Sequence, residues 1–395
     1  YIKSKNQMKQ DTIELINNTI NLKKTMLGVG PMSKNCVDAS IELSDQFNVP
    51  IMLIPSRRQI DSKKLGGGYS NNWTTENFSN YVKKKCKKKK IILCRDHGGP
   101  WQNNFEIKNN FTLKEAMKSA KKSFETDIDS DIKVIHIDPS VTLKKKLNID
   151  QILDRVCELY EHCYSYSIRK KKKIVFEIGT EEQSGSTSTF EEIEYFLEKL
   201  KKFYIKNKLP KATFMVIQCG TKVMETRNIG SFEYPLRIIN EVPVEIQLPK
   251  TIEICKKYEV YMKEHNGDYL TNESLMWHPR LGIHAVNVAP EFGVTETKSL
   301  IKILKDLKLK KLVDKFLEIS YRSKKWEKWI IDDDKISDYE KSIISGHYVL
   351  STPEVKEILE IATKQSKTKK FKNEEIKKDI KKSIKRYFYY FKLTK

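Results

Sequence analysis

The chain reads as an α/β protein, a (β/α)8 TIM barrel with a C-terminal helical extension, and three observations carry that expectation. Eight short β-branched runs recur along residues 25–288. Stretches of helical periodicity separate them. After the eighth run the pattern turns wholly helical. Most runs are near-continuous apolar segments, as expected of strands buried on both faces of a parallel sheet. Eight alternating units favour a closed barrel over an open sheet.

Residues 1–24 read as an N-terminal helix leading into the barrel. The expected strands are Thr25–Gly30, Pro50–Ser56, Lys90–Arg95, Lys133–Asp138, Lys173–Gly179, Thr213–Cys219, Tyr258–Glu264 and Gly282–Val288. Helical spacing marks Ser33–Phe47, Thr74–Lys85, Leu113–Phe124, Ile149–Tyr166 and Phe190–Tyr204 between them. We expect the barrel over 25–305 and the extension over 306–395. The extension carries Trp326 and Trp329, a loop at Asp332–Asp334, and an aromatic end at Tyr387–Phe391 that reads as core or contact surface.

The chain has 395 residues, 39% apolar and 10% aromatic. That length and composition support a large core and exclude a wholly disordered chain. No apolar run approaches the ~20 residues that cross a bilayer, and no signal-peptide pattern opens the sequence. The seven cysteines (Cys36, Cys86, Cys94, Cys157, Cys163, Cys219, Cys255) are scattered, with no CxxC pair. This argues against a disulfide framework or a zinc ribbon and for a reducing, cytoplasmic setting.

The net charge is +22, from 74 Lys and Arg against 52 Asp and Glu. Such a surplus invites a nucleic-acid reading. Only ten of the basic residues are arginine, whereas base and phosphate readers favour arginine forks. Lysine runs at Lys83–Lys90 (interrupted by Cys86), Lys144–Lys146, Lys170–Lys173 and Lys367–Lys372 (interrupted by Thr368 and Phe371) fall where solvated helix ends and loops belong. The surplus therefore reads as a solvated lysine coat. The informative cations are Arg57, Arg58 and Arg95, all at strand ends, and they point to a small anionic substrate.

In this fold chemistry gathers at the C-terminal strand ends. Strand 2 ends in Ser56-Arg57-Arg58-Gln59, and strand 3 in Arg95-Asp96-His97-Gly98-Gly99-Pro100-Trp101-Gln102. Strand 4 ends in His136-Ile137-Asp138-Pro139-Ser140, strand 5 in Gly179-Thr180-Glu181-Glu182, strand 6 in Gln218, and strand 7 in Lys263-Glu264-His265-Asn266. Imidazole and carboxylate together suit an open divalent-metal site, zinc above all, so His97, His265 and Glu181 are the candidate ligands. Asp96 adjoins His97, should point elsewhere on the strand end, and is a candidate acid or base beside Asp138 and Glu182. His136 and His284 lie inside strands and read as barrel-interior residues; His162, His278 and His347 have no functional context.

Gly66-Gly67-Gly68-Tyr69-Ser70 follows strand 2 and is either plain loop geometry or a place where backbone N–H groups meet an anion. Gly67, Gly68, Tyr69 and Gln218 join the three arginines as candidate substrate-binding residues. The GxSxG elbow, HExxH and the kinase motif set are all absent from the sequence. Lys263 as a Schiff-base lysine is a minor alternative.

These strand-end motifs resemble the non-catalytic-subunit family of class II D-tagatose-bisphosphate aldolase, also called tagatose-6-phosphate kinase-like. The family's QVD…GGYTG is similar to Gln59-Ile60-Asp61 followed by Gly67-Gly68-Tyr69-Ser70. Its DHLGP…WQN resembles Asp96-His97-Gly98-Gly99-Pro100 with Trp101-Gln102-Asn103, and its HLDCS resembles His136-Ile137-Asp138-Pro139-Ser140. Its IGTE is similar to Ile178-Gly179-Thr180-Glu181, its EAHSTDYQ to Lys263–Leu270, and its VGPALTF to Val288–Val294. The likeness covers roughly residues 25–300. It departs at Gly30-Pro31-Met32-Ser33-Lys34, at Arg57-Arg58, at Arg95 and at Glu177, an extra carboxylate inside strand 5. The extension matches only around Gly346–Glu354.

The resemblance implies a class II aldolase-type barrel, in which a divalent metal, usually zinc, polarises a ketose-phosphate carbonyl and steadies an enediolate. We therefore expect a metal-dependent aldolase (a lyase of carbohydrate metabolism) acting on a sugar phosphate. The alternatives are a non-catalytic subunit stabilising a catalytic aldolase subunit, and a metal-dependent sugar epimerase or isomerase. A homo-oligomer fits as well; membrane and nucleic-acid partners are not expected.

Overall fold

Eight parallel strands close on themselves: β1 Met26–Val29, β2 Ile51–Leu53, β3 Ile91–Gly98, β4 Val134–Ile137, β5 Val175–Gly179, β6 Phe214–Val216, β7 Tyr261–Glu264 and β8 Ala285–Val288. The computed structural model describes residues 11–143, 147–179, 189–217, 219–233, 243–365 and 371–394. Each expected run coincides with a barrel strand, and β3 continues past its expected end at Arg95 to Gly98. β1 pairs with β2 on one side and with β8 on the other, with Met26 opposite Ala285 and Val29 opposite Val288, so no sheet edge remains.

The described helices are α1 Thr12–Asn21, α2 Lys34–Phe47, α3 Thr75–Lys85, α4 Asn104–Lys108, α5 Leu113–Asp129, α6 Ile149–Arg169, α7 Phe190–Asn207, α8 Val244–Lys257, α9 Asn272–Leu281, α10 Pro290–Asp306, α11 Lys310–Arg322, α12 Asp338–Val349, α13 Pro353–Gln365 and α14 Phe371–Tyr390. Their starts are written locally. Thr112 with Glu115, Asn148 with Gln151, Thr189 with Glu192 and Ser337 with Glu340 form reciprocal capping boxes, each satisfying amide groups that the first turn leaves open.

Side-chain alternation divides the barrel into two cores. Outward residues such as Leu27, Leu53, Ile135 and Ile178 join the helices in the main apolar layer. Inward residues at the strand beginnings, among them Met26, Met52, Ile92, Val134 and Phe214, form a separate cluster inside the barrel. α1 floors it. Leu15, Ile16 and Ile20 are buried against that cluster, and the Tyr261 hydroxyl donates to Asn17 at 3.1 Å.

The last helices strap the barrel. On α14, Lys377 pairs with Glu42 of α2 at 2.7 Å, and Ser383 and Tyr387 donate to Glu291 at the start of α10. The chain end returns to β1, where the Thr25 amide donates to the Phe391 carbonyl at 3.2 Å. α12 reaches the loop after β2, with Tyr348 packed on Tyr69 at 4.9 Å between ring centroids.

Two stability predictions follow the packing. Ile16→Ala should lower the stability of the fold by about 2–5 kcal/mol, read from urea unfolding, because it opens a cavity between α1 and the barrel floor. His347 on α12 is buried with both ring nitrogens unpartnered among the described residues. Burial, reinforced by Lys328, pushes its pKa down to about 3 from 6.5. Between those values the unfolded chain binds a proton that the folded chain refuses, so stability falls as the pH drops from 6.5 to 3. His347→Phe should flatten that slope in urea midpoints compared at neutral and acid pH.

Candidate functional site

The site arises where the inward rows change character. Along β4 the inward residues run Val134, His136; along β5 Val175, Glu177, Gly179; along β7 Tyr261, Lys263, then His265; along β8 Ala285, Asn287. Each row is apolar at the floor and ionisable towards the C-terminal mouth. On β3 the row runs Ile92, Cys94, Asp96, and the register with β4 then shifts between Arg95 and Gly98. His97 takes a left-handed φ of 44° in this bulge. A bulge re-aims a side chain that strict alternation would send outward. Asp96 and His97 therefore both face the mouth, with His97 Nε2 3.9 Å from Asp96 Oδ2. The expectation that the two neighbours point apart is corrected by this bulge.

Asp96, His136, Glu177 and His265 each offer a ligand atom, and these four atoms lie within 4.8 Å of one another. All four residues are buried. His136 Nδ1 is 3.6 Å from both Asp96 Oδ1 and Glu177 Oε1, and His265 Nε2 is 3.5 Å from Asp96 Oδ1. Gly179 admits the His136 ring, since a Cβ there would stand 2.6 Å from Nε2. Gly28 likewise leaves room for Asn287, whose amide donates to Asp96 at 3.1 Å.

His97 completes a triangle of imidazoles, 4.8 Å from the His265 ring and 5.5 Å from the His136 ring. Its Nδ1 lies 2.6 Å from Asp138 Oδ2. Gln102 donates to the same oxygen at 2.9 Å, and Ser140 donates to the other. Asp138 thus orients both His97 and the loop after β3.

Lys263 lies just below, donating to both oxygens of Glu177 at 2.9 and 2.7 Å. Burial opposes the charge on each. Glu177 nonetheless raises the Lys263 pKa, and Lys263, helped by the histidines, holds Glu177 at about 2. A Schiff-base lysine needs a neutral amine, so this pairing argues against that alternative. Burial also disfavours the Asp96 carboxylate, but His97, His265 and His136 together hold it well below the usual range. Burial takes His265 down to about 4 against the pull of Asp96.

Two arginines expected at an anion site are structural instead. Arg57 is buried, pairing with Asp61 at 2.9 Å and Glu106 at 2.6 Å and donating to the Gly99 carbonyl. Arg95 is buried too, gripping both oxygens of Asp127 at 2.8 and 2.6 Å and donating to the carbonyls of Pro55 and Ile60. Strand alternation turns Arg95 away from the barrel interior, where Asp127 of α5 neutralises it. Arg58 is half-buried and within electrostatic reach of Tyr348, Tyr69 and Asp138.

The glycine loop is corrected for a related reason. Its amides already have partners: Gly67 donates to Ser62, Gly68 to Trp73, Tyr69 to Arg58 and Ser70 to Gln59, all at backbone carbonyls. Gly68 is required because a Cβ there would stand 2.1 Å from the Gln59 carbonyl oxygen. Gly67 and Gly68 are thus packing glycines, and Tyr69 packs at a tilt on Tyr348 of the extension. Glu181, Glu182 and Gln218 lie outside the described residues.

Of the other histidines, His278 bonds Glu264 at 3.1 Å on the outward side of β7, His284 accepts from the Met262 amide at 3.0 Å, and His162 pairs with Glu125. His136, Glu177 and Asn287 were the residues that sequence position undervalued. Their signal was the step of two from an apolar floor residue to a polar one, repeated on adjacent strands.

No family model and no curated protein matches the chain. Solved structures do. A probable tagatose 6-phosphate kinase from Sinorhizobium meliloti superposes with a TM-score of 0.73 at 14% identity, over 93% of this chain and 100% of that one. A fructuronate-tagaturonate epimerase from Cohnella laeviribosi gives 0.55 at 11% identity, over 94% of this chain and 81% of that one. A fructose-bisphosphate aldolase from Campylobacter jejuni gives 0.49 at 11% identity, over 89% and 93%. The first two likenesses establish the shared barrel fold.

The ion pair under the site yields a direct test. Lys263→Met leaves a buried carboxylate alone and should destabilise the protein by about 3–5 kcal/mol in urea unfolding. Adding Glu177→Leu should restore most of that loss, because an apolar pair replaces the ionic one.

Proposed function

We propose that the chain is a divalent-metal-assisted enzyme that moves protons beside the carbonyl of an anionic sugar, with aldol or retro-aldol bond chemistry as its reaction. One observation carries this reading: the buried Asp96–His136–Glu177–His265 group stands beside the His97–Asp138 dyad at the barrel mouth. The donor set fits a divalent ion. It offers two imidazoles and two carboxylates, and His136 Nε2 is buried with no hydrogen-bond partner among the described residues. We assign zinc, which imidazole and carboxylate suit, and which when bound polarises a carbonyl as a Lewis acid.

The remaining residues divide the other tasks. Asp138 accepts from His97 Nδ1, which leaves His97 Nε2 towards the mouth as the proton-carrying atom. Asn287 and Lys263 keep Asp96 and Glu177 in place beneath it. Arg58, beside Tyr69 and Tyr348, takes the anionic group of the sugar. The resemblance of the strand-end motifs to the tagatose-bisphosphate aldolase family supports a ketose phosphate as the substrate class.

Purified protein offered a panel of ketose phosphates should release triose phosphate and carry about one equivalent of metal per chain. His97→Ala should lower kcat by about 10²–10⁴-fold with the metal retained, whereas His265→Ala should lose the metal. An epimer formed without triose would make the chain an epimerase on the same residues. A metal-free chain that is inert alone yet raises the activity of an aldolase subunit would identify a stabilising partner instead.

A further inference from the structure

The candidate site occupies one end of the barrel. At the other end the helices turn back into the strands through eight short loops, and lysine collects in them. Lys87–Lys90 precede β3 and Lys170–Lys173 precede β5. Lys23 and Lys24 precede β1, Lys133 precedes β4, and Lys208 and Lys211 precede β6. These thirteen lysines share the loops with two carboxylates, Asp131 and Glu259, and with no arginine. The surplus of eleven (13 − 2) is half of the chain's +22. Thirteen of the chain's 64 lysines thus give this end half of the net surplus.

Nearby acids do not cancel it. Asp131 already holds Lys83 at 2.6 Å, Lys172 at 2.5 Å and Lys133 at 3.3 Å. Glu259 holds Lys211 at 2.7 Å. Asp45 accepts the backbone amides of Lys87 and Lys88 at 3.0 and 2.8 Å. Asp11, which caps the floor helix, pairs with Lys173 at 3.1 Å, and Asp129 at the end of α5 pairs with Lys170 at 3.3 Å. Lys87, Lys88, Lys89 and Lys171 are exposed, with no carboxylate in ion-pair range among the described residues.

Aliphatic side chains stand among these cations. Leu22 is 66% exposed and adjoins Lys23, Ile168 is 58% exposed two residues before Lys170, and Ile205 is 70% exposed three residues before Lys208. A cavity of about 450 Å³ opens beside Ile205, lined also by Leu209, Lys208, Lys211 and Lys257.

We infer that this end of the barrel docks on an anionic phospholipid bilayer, with the lysine loops on the headgroups, Leu22, Ile168 and Ile205 entering the interface, and the site at the opposite mouth left open to water. Lysine supplies point charges suited to a diffuse anionic surface, and exposed aliphatic tips add the apolar contact that makes such attachment more than screened attraction. A nucleic-acid surface would call instead for arginine forks and stacking aromatics. The attachment is peripheral, since no described helix is long and apolar enough to cross a membrane.

Co-sedimentation of the full chain with vesicles tests this. The chain should partition onto phosphatidylcholine vesicles containing about 30 mole per cent phosphatidylserine, not onto pure phosphatidylcholine, and added salt should weaken the binding steeply. Joint Lys87→Ser, Lys88→Ser, Lys89→Ser and Lys171→Ser should weaken partition by about a hundredfold or more with an unchanged circular dichroism spectrum. Leu22→Ser with Ile205→Ser should remove the binding that survives at high salt. Failure to partition at low salt overturns the inference, as does equal binding to neutral vesicles. RNA binding that is tighter than vesicle binding and indifferent to Leu22→Ser and Ile205→Ser also overturns it, and assigns the face to nucleic acid.

Discussion

A single buried ion pair sets the level at which this barrel changes from scaffold to site. Below Lys263 and Glu177 the interior is filled by Met26, Met52, Ile92, Val134 and Phe214 over the floor helix. Above the pair stand three imidazoles and two further carboxylates. A lone ammonium or carboxylate at that depth would face a desolvation penalty of several kcal/mol, roughly the size of a small domain's whole stability. Each ion offsets part of that penalty for the other. Paired, they present one fixed edge of charge to His136 and His265, which limits where those rings settle.

Around this centre a second polar network holds the loops. Arg57 and Arg95 bind Asp61, Glu106 and Asp127 and reach the carbonyls of Pro55, Ile60 and Gly99. Those carbonyls belong to the segments that carry Arg58 and His97 to the mouth. The arginines thus act on the site through the backbone they grip, which explains their place at strand ends without contact to a substrate. The extension adds a third layer of support, since Tyr348 covers Tyr69 and Tyr387 closes on Glu291.

The two ends of the barrel have opposite electrostatic characters. At the mouth Asp96, Asp138, Glu177, Lys263 and three histidines form one network of mixed sign, as a reaction centre requires if protons are to move between defined atoms. At the floor the lysines outnumber the acids and lie open to solvent. A (β/α)8 topology produces this division readily, because loops after strands and loops before strands never mix.

The strands, the closed barrel and the helical extension were legible in the sequence, since apolar run length and alternation are local properties that burial enforces. So were Asp96, His97, Asp138 and His265, because polar residues at strand ends stand out against apolar runs. Three things were decided only by the tertiary structure. The bulge after Arg95 brings Asp96 and His97 to one side, and bulges depend on the partner strand. His136 and Glu177 meet across neighbouring strands, a relation set by barrel closure and register. Arg57 meets Glu106 49 residues away as well as the nearby Asp61, and Arg95 meets Asp127 32 residues away; no local pattern shows those distant counter-ions.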